Sequence, residues 1–178
     1  GVLTAYQIDI EGTGRKTQSL VNEALRLKIV HEKNSTHPVD RLWVVFDRDN
    51  FAANDFNNAI SSCAQSNPII GCAWSNEAFE LWYLLHFHHY QNAMNRKQYQ
   101  GLIEDNLRPF IGSDYRYEKN NKEMYALLKE YGSIENAIRN AQQLAETYEE
   151  RQDYANHNPC TMVWMLVEEL MKLNENNS

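Results

Sequence analysis

The chain has 178 residues, 43% of them hydrophobic and 11% aromatic, which is typical of one folded domain rather than a disordered segment. A net charge of −7 and a pI of 5.4 argue against a large basic surface for nucleic acid, although an acidic enzyme still engages phosphates through a metal ion and a few cations. The chain has no apolar run of about 18 residues, no visible signal peptide and no disulfide or zinc spacing among its three cysteines, so we expect a cytoplasmic protein that does not contact a membrane.

The first predicted elements are a strand at residues 2–10, a glycine-containing turn at residues 11–17, and a helix that begins near Ser19. A glycine-rich turn between a strand and a helix presents backbone N–H groups to an anion. The spacing here is not that of a Walker phosphate-binding loop, so we interpret the turn as a plain connection. A nucleotide-binding or signalling domain that uses this turn and Lys16 stays open as an alternative.

Residues 42–46 (LWVVF) are apolar, β-branched or aromatic, and too few for a typical helix, so they predict a strand buried on both faces. Asp47 and Asp49 follow it with Arg48 between them. Because strand side chains alternate, we expect the two carboxylates on the same side, about 6–7 Å apart. Paired carboxylates suit Mg²⁺ or Mn²⁺. The alternative is that Asp47 caps the next helix and Asp49 occupies the turn.

A second helix is predicted at residues 51–65 and another buried strand at residues 69–74. Strands that alternate with helices at this spacing predict βαβ units and a parallel sheet. Right-handed crossovers bring the carboxyl ends of such strands to one edge. We therefore expect Asp47, Asp49, Ser75 and Asn76 to share that edge, where α/β proteins bind ligands.

Residues 75–87 predict a buried helix that is apolar nearly all round, capped by Ser75 or Asn76. Glu80 lies in its first turns, close to the edge that the aspartates occupy. It is a candidate further metal ligand or catalytic base. The alternative is that Glu80 interacts favourably with the helix dipole or pairs with Arg48.

The second half of the chain is predicted to be helical, with helices at residues 95–107, 122–131, 133–151 and 162–173. The first of them is expected to end before Pro109, and residues 156–161 are expected to form a loop. No sharp boundary divides the chain. We therefore predict a single domain over residues 1–178, with an α/β part at about residues 1–90 and a helical part at about residues 91–175.

Several segments together resemble the RloB-like family of prokaryotic proteins, in the order found in that family. The segments are residues 12–15 (GTGR), 19–21 (SLV), 44–51 (VVFDRDNF), 75–87 (SNEAFELWYLLHF), 117–119 (YEK), 137–141 (AIRNA) and 158–161 (NPCT). The resemblance implies a Toprim-like, Rossmann-like parallel sheet flanked by helices, with a helical C-terminal layer. It also implies a Mg²⁺- or Mn²⁺-dependent nuclease linked with restriction-modification and phage-defence loci, often beside an ATPase partner.

Toprim sites combine a glutamate after an early strand with an Asp-x-Asp motif after a later one. Asp47 and Asp49 match the second motif, and the resemblance places the first upstream of residue 1. Glu11 precedes a glycine but does not align with that motif. On this hypothesis Asp47 and Asp49 hold the metal ion, and the upstream glutamate acts as base or third ligand. Arg48, Lys119 and Asn76 are candidate phosphate contacts at the same edge.

A different class of function stays open beside the nuclease, namely a catalytically idle defence-system subunit that works by binding a partner ATPase. The acidic surface and the lack of the first acidic motif favour it. The substrate of the nuclease is expected to be DNA or RNA, without a feature that distinguishes them. The sequence is also compatible with a homo-oligomer.

Overall fold

A computed structural model describes residues 17–34, 38–49 and 51–175, so the predicted strand at residues 2–10 and most of the glycine turn, with Lys16, lie outside the described residues. Within these ranges the chain is an α/β protein. None of the helices described there has the length and apolar character needed to cross a membrane. The elements are α1 (Thr17–Asn34), β1 (Trp43–Asp47), α2 (Ala53–Gln65), β2 (Gly71–Asn76), α3 (Glu80–Leu85), α4 (Arg96–Ile111), α5 (Met124–Tyr131), α6 (Ile134–Glu146), a 3₁₀ turn (Tyr154–Asn156), β3 (Cys160–Thr161) and α7 (Val163–Glu175).

The described strands form a sheet in the order β1–β2–β3. The parallel pair predicted from the sequence is confirmed, with Asp47 opposite Ser75 at its carboxyl end. The sheet of the described residues is nevertheless mixed rather than parallel throughout, because β3 pairs with β2 in the antiparallel direction. This short strand gives hydrogen-bond partners to a buried edge of β2, and the hydroxyls of Ser75 and Thr161 bond at 2.7 Å with both residues fully buried.

The sheet lies between two helical layers, as side-chain alternation along its strands requires. Val44 and Trp74 face α1 and α2 and pack in the clusters that those helices form with the sheet. Trp43 and Ala73 face the opposite way, toward the cluster built by α3 to α7. The predicted helical C-terminal layer is therefore present, and it covers the same sheet face as the side chain of Asp47.

The helix predicted at residues 75–87 is much shorter than expected, because α3 covers only Glu80–Leu85. Ser75 and Asn76 do not cap it, since both belong to β2 and pair with β3. The backbone of Ser75 also accepts a hydrogen bond of 2.9 Å from Arg48. Ladder pairing thus competes with local capping here, and α3 begins only after the chain has left the sheet. Its burial is confirmed.

Two helix ends also differ from prediction. α4 continues through Pro109 to Ile111, where the missing proline N–H removes one bond only in the last turn. α6 ends at Glu146 rather than near residue 151. The following turn seats the Tyr148 ring on the His157 ring, with centroids 4.4 Å apart. Neither end follows from the local periodicity of the hydrophobic residues.

Candidate functional site

Asp47 and Asp49 lie where β1 leaves the sheet, next to the end of β2. Asp47 is the last residue of β1, and the backbone N–H of Asp49 donates a hydrogen bond of 3.1 Å to Glu77. Asp49 has a φ of 41°, a left-handed conformation that aspartate tolerates better than most residues. Neither aspartate caps α2. The N-cap position of this helix is Ala52, and no side-chain hydrogen bond caps it. The helix-capping alternative for Asp47 is therefore wrong.

The two carboxylates converge on one cation, the guanidinium of Arg96. Its Nη1 lies 2.6 Å from Asp49 Oδ1, and its Nη2 lies 3.4 Å from Asp47 Oδ2. The side chains of Asp47 and Asp49 are 27% and 34% exposed, so solvent reaches both. Arg96 is the first residue of α4, and sequence reasoning missed it. The only signal was a basic residue directly after the Asn95 N-cap, where acidic residues are favoured.

Burial and the neighbouring charges together shift the pKa of Asp47. Burial raises the pKa of Asp47 above its ordinary value, and the charges of Asp49 and Glu80 act in the same direction. Arg96 and a hydrogen bond from the backbone N–H of Phe79 lower it without cancelling the rise. The raised pKa of Asp47 is therefore mainly an effect of burial, which disfavours the charged form.

Glu80 is buried behind Asp47 at the start of α3. Its Oε1 accepts a hydrogen bond of 3.2 Å from the hydroxyl of Tyr117, and it does not pair with Arg48. Burial and the Glu80 charge raise the pKa of Tyr117, so this hydroxyl stays protonated and can donate. In the part of the chain that the structure describes, no three or more His, Cys, Asp or Glu residues form a group that holds a metal ion. Asp47, Asp49 and Glu80 thus do not form such a group.

Arg48 and Asn76 are brought together, but away from the aspartates. Nη1 of Arg48 donates to the carbonyl of Ala155 at 2.8 Å, and Nδ2 of Asn76 donates to the same oxygen at 3.0 Å. This carbonyl lies in the 3₁₀ turn that packs with α2. Nε of Arg48 and Oδ1 of Asn76 are buried without a hydrogen-bond partner. The structure therefore separates these two candidate phosphate contacts from the carboxylates they were expected to join.

Lys119, the third candidate phosphate contact, is exposed in the loop between α4 and α5. Tyr117, two residues earlier, holds this loop in place through both its side chain and its backbone. Its hydroxyl bonds Glu80, and its backbone N–H donates to Glu104 Oε1 at 3.1 Å. The loop that carries Lys119 is therefore attached beside Glu80.

The family model described as RloB-like protein matches residues 4–170 of the chain. No curated protein matches the chain, and no solved structure matches it either. The family match includes both aspartates, Glu80 and Arg96, and covers nearly all of the chain. The chain therefore belongs to the RloB-like protein family.

Proposed function

We propose that this chain is a Mg²⁺- or Mn²⁺-dependent nuclease with a Toprim-like sheet, acting in a prokaryotic phage-defence or restriction-linked system. The observation that carries the proposal is the convergence of Asp47 and Asp49 on one cation at the carboxyl end of β1. Ligands of open α/β sheets bind at this position. The substrate class is nucleic acid, DNA or RNA, and the site of action is the cytoplasm.

The residues present fit a divalent cation. Mg²⁺ takes one or two carboxylates and keeps several waters, and both aspartates are accessible enough to leave room for those waters. The guanidinium of Arg96 already brings one positive charge to both carboxylates. A divalent ion would compensate the charges of Asp47 and Asp49 further than the single charge of Arg96 does.

In this proposal Asp47 and Asp49 hold the ion. A bound Mg²⁺ supplies Lewis-acid polarisation of the phosphoryl group and stabilises charge on the leaving oxygen. Glu80 adds negative charge behind Asp47, held in place by Tyr117. Lys119 is the candidate that contacts the substrate phosphate, because it is exposed on the loop anchored beside Glu80.

A second candidate is a catalytically idle subunit that acts by binding a partner ATPase. The ion pairs of Arg96 favour it, because an internal cation already bridges the two carboxylates. In that case the acidic edge is a structural element, and the net charge of −7 serves the protein interface.

Metal titration and cleavage assays on the complete protein separate the two candidates. We expect Mn²⁺ binding by calorimetry, and Mg²⁺- or Mn²⁺-dependent cleavage of labelled DNA or RNA, both abolished by Asp47→Asn. The matched control is Asp105→Asn, which removes a carboxylate that is 70% exposed and pairs with Arg108 on α4. If the wild-type protein binds neither ion and cleaves neither nucleic acid, the nuclease proposal is wrong and the idle subunit is favoured. Full cleavage by Asp47→Asn excludes Asp47 from the chemistry.

A further inference from the structure

Arg96 lies in the first turn of α4, where the helix dipole disfavours a positive charge. The first turn of α4 contains no acidic residue, and Arg96 and Lys97 place two positive charges at the positive end of the helix dipole. The Asn95 side chain already accepts from the N–H groups of Lys97 and Gln98, at 3.1 and 3.3 Å. Asn95 therefore caps the start of α4, and the side chain of Arg96 is not needed for capping. Its described contacts are with the two aspartates.

The ion pairs of Arg96 with the two aspartates are weak enough for another cation to displace the guanidinium. The bond to Asp49 is short, but the one to Asp47 is 3.4 Å, beyond the usual range for an N–H···O hydrogen bond. The arginine side chain is 41% exposed. Ion pairs between partly exposed groups contribute little to stability, since water solvates both partners when they separate. A cation that binds the carboxylates more strongly will replace the guanidinium.

We infer that Arg96 occupies the place of the divalent cation in the metal-free protein, and that metal binding releases its guanidinium to contact the substrate phosphate. This inference rests on the proposed function, and it adds a residue to the site. The ion and the guanidinium compete for the same carboxylate oxygens, so Arg96 lowers the affinity for metal. Once displaced, the side chain remains anchored at the N-terminus of α4, close to the ion. There it forms charge-assisted, bidentate hydrogen bonds with a phosphate.

The test compares Arg96→Gln with Lys97→Gln in the complete protein. The control removes the same charge one residue away, from an exposed side chain outside the described ion pairs. We expect Arg96→Gln to bind Mn²⁺ about two- to fivefold more tightly than Lys97→Gln in calorimetry, as expected when a weak competing ion pair is removed. In Ca²⁺, we expect its affinity for fluorescein-labelled single-stranded DNA or RNA to fall below that of Lys97→Gln, measured by anisotropy.

The outcomes separate this inference from the proposed function. If the wild type binds Mn²⁺ in a manner lost in Asp47→Asn, but the two glutamine variants bind it equally, Arg96 does not compete and the inference is wrong while the metal site stands. Loss of Mn²⁺ binding in Arg96→Gln also overturns it, because Arg96 then only orients the carboxylates. Tighter Mn²⁺ binding with unchanged oligonucleotide affinity overturns the phosphate role. If no variant binds Mn²⁺, the proposed function itself fails.

Discussion

Tyr117 and Glu80 are joined by a hydrogen bond of 3.2 Å, from the phenol hydroxyl to the buried carboxylate at the start of α3. The contact spans two segments that are distant in the sequence, the loop after α4 and the segment after β2. The backbone N–H of the same tyrosine donates a hydrogen bond to Glu104. The loop is therefore attached to two carboxylates, Glu80 and Glu104. This relationship attaches the loop that carries Lys119 to Glu80 through Tyr117.

We expect Tyr117→Phe to lower the free energy of unfolding by about 1–3 kcal/mol, because a buried charged acceptor loses its hydrogen-bond donor. The measurement is urea unfolding followed by circular dichroism. The control is Tyr125→Phe on α5, where the side chain is 77% exposed and the loss is expected to be negligible. Equal losses in the two variants would contradict the importance of the Glu80 contact.

Asp47→Asn is expected to leave the melting temperature at pH 7 unchanged or slightly higher. The pKa of Asp47 is raised in the folded protein, mainly by burial. A carboxyl with a raised pKa stabilises the fold most below its unfolded pKa of about 3.9, and this contribution is lost as pH rises through the folded value. The advantage of the asparagine variant should therefore shrink toward pH 4 in calorimetric scans. A clearly lower melting temperature at pH 7 would show that the pair with Arg96 outweighs burial.

His86 is expected to destabilise the protein in acid. Burial lowers its pKa to about 4, and both ring nitrogens are buried without a hydrogen-bond partner. The neutral form therefore stabilises the fold fully above the unfolded pKa of about 6.5, and this contribution is lost as pH falls toward 4. We expect His86→Leu to lose less stability than the wild type between pH 7 and pH 4 in urea titrations. The exposed His88 serves as control, and His88→Gln should retain the wild-type dependence.

Two glycines provide a matched pair for stability. A Cβ at Gly71 would overlap the indole ring of Trp43, whose Nε1 donates to Glu169 Oε1 at 3.3 Å and keeps the ring in place. We expect Gly71→Ala to cost about 1–3 kcal/mol, the usual penalty of overpacking. Gly101 on α4 has open space around it, so Gly101→Ala is expected to stabilise by about 0.5–1 kcal/mol. Chemical denaturation measures both, and similar effects of the same sign would contradict the Trp43 contact.

Local patterns predicted most of the described elements. The apolar run before Asp47 predicted a strand, and β1 is that strand. The helical periodicity at residues 51–65 predicted α2, in which Phe56 and Ile60 are buried as expected. These signals are local, because the period of the hydrophobic residues reflects the geometry of one element. Strand β3 was missed because two residues carry no period, and its pairing with Ser75 joins segments far apart in the chain.

The site divides in the same way. The sequence alone predicted that Asp47 and Asp49 follow the strand at the sheet edge, although Asp49 lies in a turn with a φ of 41°, where strand alternation no longer applies. Only the tertiary structure decided which cation meets them, since Arg96 arrives from α4, 49 residues beyond Asp47. It also separated Arg48 and Asn76 from the carboxylates and attached Glu80 to Tyr117. Such contacts depend on how helices pack on the sheet, and that packing is set by many residues together rather than by any one motif.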